Sequence, residues 1–173
     1  MGIESNKASM FHGLDHIGLT VPDVAAAVNF YQDVFGAKVI FHMGPLDSRD
    51  MPKTESGKDW TAAYINVEDA NVEFVGIELV PGLVMEIYQY HRPEGGNRKP
   101  PKNSDYGGHH IALRVADVVE AAQYMQSKGF TLMDGPIVPP DGPLEGSKAW
   151  YLLDPWNNQF ELMEYKHMAF MKN

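Results

Sequence analysis

An internal repeat is the sequence feature that most limits what this chain can fold into. Residues 16–32 read HIGLTVPDVAAAVNFYQ and residues 110–126 read HIALRVADVVEAAQYMQ, with eight of these 17 positions identical at an offset of 94. A common apolar pattern would explain the matching hydrophobic positions, but it would not place a histidine at the start of both copies. The repeat therefore predicts two modules of the same architecture.

Each copy begins with a pattern that changes from strand to helix. Apolar residues first alternate with polar or small ones, which predicts a short strand with one apolar face. Asp23 and Asp117 follow at the position of a helix N-cap. Helical patterns then extend over roughly 24–35 and 118–128, and a glycine suited to a helix end follows each of them.

The second halves of the two copies also correspond. Both contain Glu-x-x-x-Tyr within an apolar segment, LVMEIYQY in the first copy and NQFELMEY in the second. Residues 42–59 are polar and rich in turn formers, which predicts a loop. Each copy is thus interpreted as a strand, a helix and several further strands, for which the other candidates are roughly 60–67, 72–80 and 148–153.

The pattern predicts an α+β chain of two tandem modules. We expect an N-terminal tail at 1–11, a first module at 12–90, a linker at 91–108, a second module at 109–166 and a C-terminal tail at 167–173. The linker prediction rests on the proline and glycine content of HRPEGGNRKPPKNSDYGG.

Composition excludes several classes of function. The 173 residues carry a net charge of −9, so nucleic acid and anionic membrane surfaces are poor partners. The chain has no cysteine, which excludes disulfides, thiolate catalysis and cysteine-bound zinc. It shows no signal-peptide pattern and no long apolar run, so we expect a soluble, cytoplasmic protein that acts on a small molecule.

Two histidines and two glutamates are the candidate metal ligands. Strand side chains alternate between faces, so the face opposite the apolar one carries His16 and Glu86 in the first copy, and His110 and Glu161 in the second. A carboxylate inside LVMEIY needs a partner. Two imidazoles and two carboxylates suit one divalent ion such as Zn, Ni, Co, Mn or Fe(II).

The same faces supply candidate substrate contacts. Tyr88, Tyr90 and Tyr165 would form an aromatic wall, and Arg114 would hold a carboxylate or another anion.

The other histidines are weaker candidates for metal ligands. His109 falls on the opposite face from His110, and we place the remainder in loops or termini at the surface, namely His12, His42, His91 and His167. The segment 154–158 is interpreted as a hairpin turn that positions the Glu161 strand.

These residues carry a resemblance to a known family. The segment HIGLTVPDVAAAVNFYQDVFGA is similar to the N-terminal motif of glyoxalase I, and GGHHIALRVADV is similar to its second motif. Over about residues 12–166 the chain resembles the vicinal oxygen chelate superfamily, which includes glyoxalase I, methylmalonyl-CoA epimerase, extradiol dioxygenases and fosfomycin-resistance proteins. The resemblance implies two βαβββ modules that form a curved mixed sheet around a metal cavity.

The resemblance also implies a ligand set and a reaction. His16, Glu86, His110 and Glu161 match the four metal ligands of glyoxalase I. A lyase or isomerase of this type acts on a substrate that chelates the metal through vicinal oxygens. It transfers a proton by way of an enediolate, and Glu161 or Glu86 would carry that proton. A homodimer is the expected assembly. Two departures from the glyoxalase pattern are Ala37, where a larger apolar residue is usual, and Arg114, which replaces a small residue.

Two other functions stay open at this point. An extradiol ring-cleaving dioxygenase would use Fe(II) with His16, His110 and Glu161, but Glu86 would then occupy a position that oxygen chemistry needs. A metal-free protein that sequesters a drug is the second alternative. Retention of all four ligand types argues against it.

Overall fold

The fold is an α+β arrangement of two similar units, as the sequence predicts. A computed structural model describes residues 12–93 and 99–166. The chain divides into two compact units, Met1–Glu94 and Gly95–Asn173, which are named the first and second module from here on. Each module has its own four-stranded mixed sheet with the strand order that a βαβββ unit requires.

Residues 12–93 of the first module form four strands and two α-helices. Its sheet has the order β1-β4-β3-β2, in which β1 is parallel to β4 and the other pairs are antiparallel. In chain order the elements are β1 (Ile17–Thr20), α1 (Val24–Phe35), β2 (Lys38–Asp47), a short 3-10 turn (Ser48–Asp50), α2 (Trp60–Ile65), β3 (Asn71–Val80) and β4 (Leu83–Arg92).

The second module repeats this strand topology, and its last three strands are shorter than their counterparts in the first module. Its sheet has the order β5-β8-β7-β6, and β5 is parallel to β8 as β1 is to β4. The elements are β5 (Ile111–Arg114), α3 (Val118–Ser127), β6 (Thr131–Leu132), β7 (Lys148–Leu153) and β8 (Gln159–Glu164).

Aspartate caps begin the long helix of each module, as predicted. The side chain of Asp23 accepts a hydrogen bond from the amide of Ala26, and that of Asp117 accepts from the amides of Val119 and Glu120. These bonds satisfy amides that have no partner within the helix. Gly36 ends α1 in the left-handed conformation, with φ of 67°, which glycine adopts at no steric cost.

The core of each module lies between its long helix and one face of its sheet. In the first module, α1 contributes side chains including Tyr31, and the strands contribute Ile77, Met85 and Ile87, all fully buried. The buried core of the second module includes Ala122, Leu152, Phe160 and Leu162. Because strand side chains alternate, the residues between these core positions lie on the opposite face, which carries the candidate ligands.

Two details of the first module differ from the sequence prediction. The sequence predicts a strand at 60–67, but Trp60–Ile65 form α2, because Asp59 caps this helix by accepting a hydrogen bond from the amide of Ala62. The expected loop at 42–59 is also wrong in its first part, since β2 continues to Asp47. Gly44 and Pro45 lie within that strand, at an interruption of its pairing with β3.

Several smaller predictions concern turns and ends. The turn between β7 and β8 is confirmed: the Asp154 side chain accepts from the amides of Trp156 and Asn158 and holds the chain reversal. β4 extends through His91 to Arg92, into the stretch expected to be linker.

No helix among residues 12–93 and 99–166 is long and apolar enough to cross a membrane.

Candidate functional site

The first module brings His16 and Glu86 together. His16 directly precedes β1, and Glu86 lies opposite Gly18 in the parallel pairing of β1 with β4. Nε2 of His16 lies 3.3 Å from Oε2 of Glu86. The hydroxyl of Tyr88, two residues further along β4, donates a hydrogen bond to the same Oε2.

The imidazole of His16 is also held from its other side. Its Nδ1 lies 2.7 Å from Oδ1 of Asp15, and because a carboxylate only accepts, Nδ1 carries the hydrogen. In the neutral imidazole this arrangement puts the lone pair on Nε2, the atom that faces Glu86. The hydrogen bond to Asp15 raises the pKa of His16, and the charge of Glu86 acts in the same direction against the opposing effect of burial.

The second module repeats the pair at the same register. Glu161 lies opposite Ala112 in the parallel pairing of β5 with β8, as Glu86 lies opposite Gly18. Nε2 of His110, which directly precedes β5, lies 3.1 Å from Oε2 of Glu161. Only 11% of the Glu161 side chain is exposed, so this carboxylate is largely buried, and it has an imidazole as its partner.

A tyrosine also contacts the glutamate of the second module, from a different strand. Tyr151 on β7 lies directly opposite Glu161 on β8. Its ring meets the ring of His110 edge to face, with centroids 5.4 Å apart. Burial raises the pKa of Tyr151, and a hydrogen bond to Glu161 raises it further. Sequence reasoning missed Tyr151, although its place in the alternation KAWYLL would have put it on the face opposite the buried Leu152.

An aromatic row extends from Glu86 across the first module. Tyr88 stacks on Phe74 with centroids 4.8 Å apart and on Tyr90 at 6.3 Å, and Phe41 meets Phe74 edge to face at 5.9 Å. Burial raises the pKa values of Tyr88 and Tyr90, and Glu86 raises that of Tyr88 further. Both phenols are therefore neutral across the physiological range. The row places Tyr88 and Tyr90 on the Glu86 face, where the sequence predicts an aromatic wall.

The remaining predicted substrate contacts lie at strand ends of the second module. Arg114 is exposed at the last position of β5, opposite Met163. Tyr165 directly follows β8 and is partly buried. By alternation both belong to the face that carries Glu161.

The donor atoms in each module fit one metal ion. Two ligands that each lie about 2.0–2.2 Å from a metal are about 2.8–3.6 Å apart in octahedral or tetrahedral geometry. The two His–Glu separations, 3.3 Å and 3.1 Å, fall within that range. Imidazole nitrogen with carboxylate oxygen also suits first-row divalent ions. Across the described residues, no three or more His, Asp or Glu side chains form a group able to hold a metal, so each module offers a pair.

Two further histidines meet at Glu73 on the other face of the first module. Nε2 of His42 lies 3.2 Å from Glu73 Oε2, and Nε2 of His91 lies 2.9 Å from Glu73 Oε1. The prediction that both histidines lie in loops is wrong, since His42 is on β2 and His91 on β4, although both are exposed at the surface. His109 is exposed and lies near the carbonyl of Gly107. His12 is exposed, and His167 falls outside the described residues.

Comparison with known proteins identifies the family. The model of the Glyoxalase/Bleomycin resistance protein/Dioxygenase superfamily matches residues 13–162. A protein from Actinomyces sp. named 2-epi-5-epi-valiolone epimerase is 33% identical over 150 residues, which cover 86% of this chain and 76% of that protein. The chain therefore belongs to the Glyoxalase/Bleomycin resistance protein/Dioxygenase superfamily, which confirms the resemblance found in the repeat.

Solved structures share the fold. A glyoxalase family protein from Bacillus cereus matches with a TM-score of 0.68 and 14% identity, over 95% of this chain and 99% of that one. Fosfomycin resistance protein FosX from Listeria monocytogenes, complexed with Mn(II) and sulfate, matches with a TM-score of 0.54 and 21% identity, over 94% and 100%. A mutant of glyoxalase I from Zea mays matches with a TM-score of 0.54 and 15% identity, over 86% of this chain and 43% of that one.

Proposed function

We propose that this protein is a divalent-metal-dependent epimerase. Its substrate is a small molecule with a hydroxyl next to a carbonyl, and the reaction inverts a carbon adjacent to that carbonyl. The observation that carries the proposal is the duplicated His–Glu pair, held at one register in both modules and separated by metal-ligand distances. Family membership and the 33% identical relative named as an epimerase support the same reaction class.

The ligands we assign are His16, Glu86, His110 and Glu161. A divalent ion held by these residues would polarise the substrate carbonyl and stabilise the negative charge that develops on its oxygen. Asp15 fixes the tautomer of His16 so that Nε2 is free to bind.

Inversion of a carbon needs a proton removed from one side and another returned to the opposite side. Glu86 and Glu161 are the proton carriers we assign, one from each module. The C–H bond at the reacting carbon breaks as one carboxylate takes its proton. A C–H bond forms on the other side as the second carboxyl group, which enters the step as the neutral acid, gives up its proton, so that atoms and electrons balance without an oxidant.

The surrounding side chains would bind the substrate and exclude water. Tyr88 and Tyr90 present aromatic surface beside Glu86, against which the C–H face of a ring would pack. Arg114 and Tyr165 are the contacts we assign in the second module, with Arg114 suited to an anionic or hydroxyl-rich group.

A glyoxalase I-like isomerisation of a glutathione hemithioacetal is the second candidate. It is favoured by the match of His16, Glu86, His110 and Glu161 to the ligand positions of that enzyme, and it uses the same proton transfer next to a carbonyl. Extradiol cleavage is less favoured, because Glu86 faces His16 as a fourth donor.

We expect a homodimer, which light scattering after size-exclusion chromatography would test.

Exchange of substrate hydrogen with solvent tests the proposed reaction. The protein, loaded separately with Mn, Co, Ni and Zn, is incubated in D2O with 2-epi-5-epi-valiolone and a series of α-hydroxyketones, and proton NMR follows the carbon next to the carbonyl. We expect deuterium incorporation and formation of the epimer, both abolished in Glu161→Gln. Parallel assays use the hemithioacetal and, by oxygen uptake, catechols with Fe(II). Ring cleavage with no exchange of any ketone would contradict the proposal.

A further inference from the structure

We propose that Tyr88 and Tyr151 are positioning residues, one in each module, that hold Glu86 and Glu161 in the orientation needed for metal binding. The inference rests on the proposed function and deepens it. It starts from the finding that each candidate carboxylate has two neighbours, the histidine of its pair and a tyrosine: the Tyr88 hydroxyl donates to Glu86, and Tyr151 lies directly across the strand pair from Glu161.

The contact in the first module is defined by the β4 strand. Tyr88 lies two residues beyond Glu86 on the same face, and its hydroxyl donates to Oε2. This oxygen is also the one nearest to His16 Nε2. A carboxylate oxygen has two lone-pair directions, so it can accept from the phenol and still face the imidazole. The aromatic contact with Phe74 fixes the Tyr88 ring from which the hydroxyl is presented.

The contact in the second module comes from a different position of the repeat. Tyr88 pairs with Thr20 on β1, and the residue in that place in the second module is Met163, paired with Arg114 on β5. The second module instead uses Tyr151, which lies across the strand pair from Glu161. The two hydroxyls are therefore not copies of one residue.

Sterics explain why the first module does not use the cross-strand position. The residue opposite Glu86 on β3 is Gly76, which corresponds to Tyr151. A Cβ at Gly76 would lie 2.4 Å from the ring of Phe41, so a tyrosine there would collide with the aromatic row. The first module places its phenol on β4 instead. The two modules thus place a tyrosine beside the glutamate from two different strand positions.

The physical role is to restrict the glutamate side chain. A glutamate has several rotatable bonds, and a carboxylate that must meet an ion beside a histidine loses binding free energy if it samples other orientations. A hydrogen bond from a partly buried phenol favours one orientation of the carboxylate. Partners of this kind typically change metal affinity by about 10–100-fold when they are removed.

Cobalt binding tests the inference without a substrate. The metal-free protein and the variants Tyr88→Phe and Tyr151→Phe are titrated with Co(II), with calorimetry giving the affinity and the visible absorption band reporting ligand geometry. Tyr64→Phe is the control, because it removes the same hydroxyl from an exposed tyrosine of α2. Thermal unfolding of the metal-free proteins shows whether each variant is folded.

We expect the metal-free Tyr88→Phe and Tyr151→Phe proteins to unfold near the wild-type temperature. Both variants should bind Co(II) about 10–100-fold more weakly than the wild type and show an altered absorption band. Tyr64→Phe should match the wild type in both Co(II) affinity and absorption band. Wild-type affinity and an unchanged band in both folded variants would overturn the inference while leaving the proposed function intact. A wild-type protein that binds no Co(II) would refute the proposed function and, with it, this inference. Weaker binding in a variant that has lost its fold would be a merely structural effect, and it would count against the positioning role.

Discussion

The backbone amide of Val24 donates a 2.9 Å hydrogen bond to the side-chain oxygen Oε1 of Gln89. Val24 is the first residue of α1, and Gln89 lies on β4, three residues after Glu86. The second module has the same bond between Val118 and Glu164, which lies three residues after Glu161. In both modules the strand that carries the candidate ligand is thus tied to the N-terminus of the long helix.

Replacement of Gln89 by leucine tests this connection. Gln89→Leu leaves the Val24 amide without its acceptor, and we expect the free energy of unfolding to fall by about 0.5–2 kcal/mol, as for loss of a helix cap. Gln89→Glu is the matched control, because it keeps the acceptor and places a negative charge at the helix N-terminus, as Glu164 does. Urea denaturation measures both. A leucine variant as stable as the wild type would show that the bond contributes nothing.

A second prediction concerns the close packing of Phe41 over Gly76. Gly76→Ala would place a Cβ 2.4–2.8 Å from three ring atoms of Phe41, so the ring must move off Phe74. We expect destabilisation of about 1–3 kcal/mol, typical of overpacking. Gly18→Ala is the control, because its Cβ would meet only Tyr88 at an ordinary 3.6 Å. Equal urea midpoints for the two variants would argue against this packing.

The pH dependence of stability tests an ion pair at one end of the first module. Hydrogen bonds from Arg92 hold the pKa of Asp47 well below its usual value, with the amide of Arg49 and the side chain of Asn71 acting in the same direction. An aspartate whose pKa is lower in the folded protein than in the unfolded chain stabilises the fold at pH values above its unfolded pKa, about 3.9. This contribution is lost as the pH falls through the pKa that the group has in the folded protein.

Asp47→Asn removes this contribution. We expect the urea midpoint of the variant to lie below that of the wild type at pH 7, and the gap between them to narrow as the pH falls from about 5 to 3. Asp141→Asn, at an exposed bend of the second module, controls for loss of one negative charge. A gap that stays constant over this range would refute the assignment.

Much of the fold follows from local signals in the sequence. The repeated switch from alternating to helical apolar spacing placed α1 and α3 within one residue of their ends, and the two aspartate caps are in place. These features depend on residues adjacent in the chain. The same alternation put Glu86 and Tyr88 on one face of β4, opposite the buried Met85 and Ile87.

The errors arise where tertiary contacts decide the structure. Trp60–Ile65 is short and has weak periodicity, and its helical state depends on Asp59 and on the buried Thr61, whose hydroxyl accepts from the amide of Ala70. β2 contains Gly44 and Pro45, which usually indicate a turn, but its pairing with β3 resumes at Leu46 beyond them.

The site was only partly readable from the sequence for a related reason. The His–Glu pairs were found because both members are repeated in corresponding segments of the two copies. Tyr151 and Glu73 were missed, because their partners lie on neighbouring strands and register is not visible in a single sequence. The assignment of His16, Glu86, His110 and Glu161 to one ion stays a prediction.

Metal content is the most direct test of that assignment. The wild type and the four alanine variants of these ligands are stripped with chelator, dialysed against excess Ni or Co, freed of unbound metal and analysed by mass spectrometry. His42→Ala is the control, because it removes an imidazole from the Glu73 cluster on the other face. The proposed site predicts about one ion per chain in the wild type and the control, and much less in all four variants. A wild type without metal, or four variants that retain it fully, would contradict the proposal.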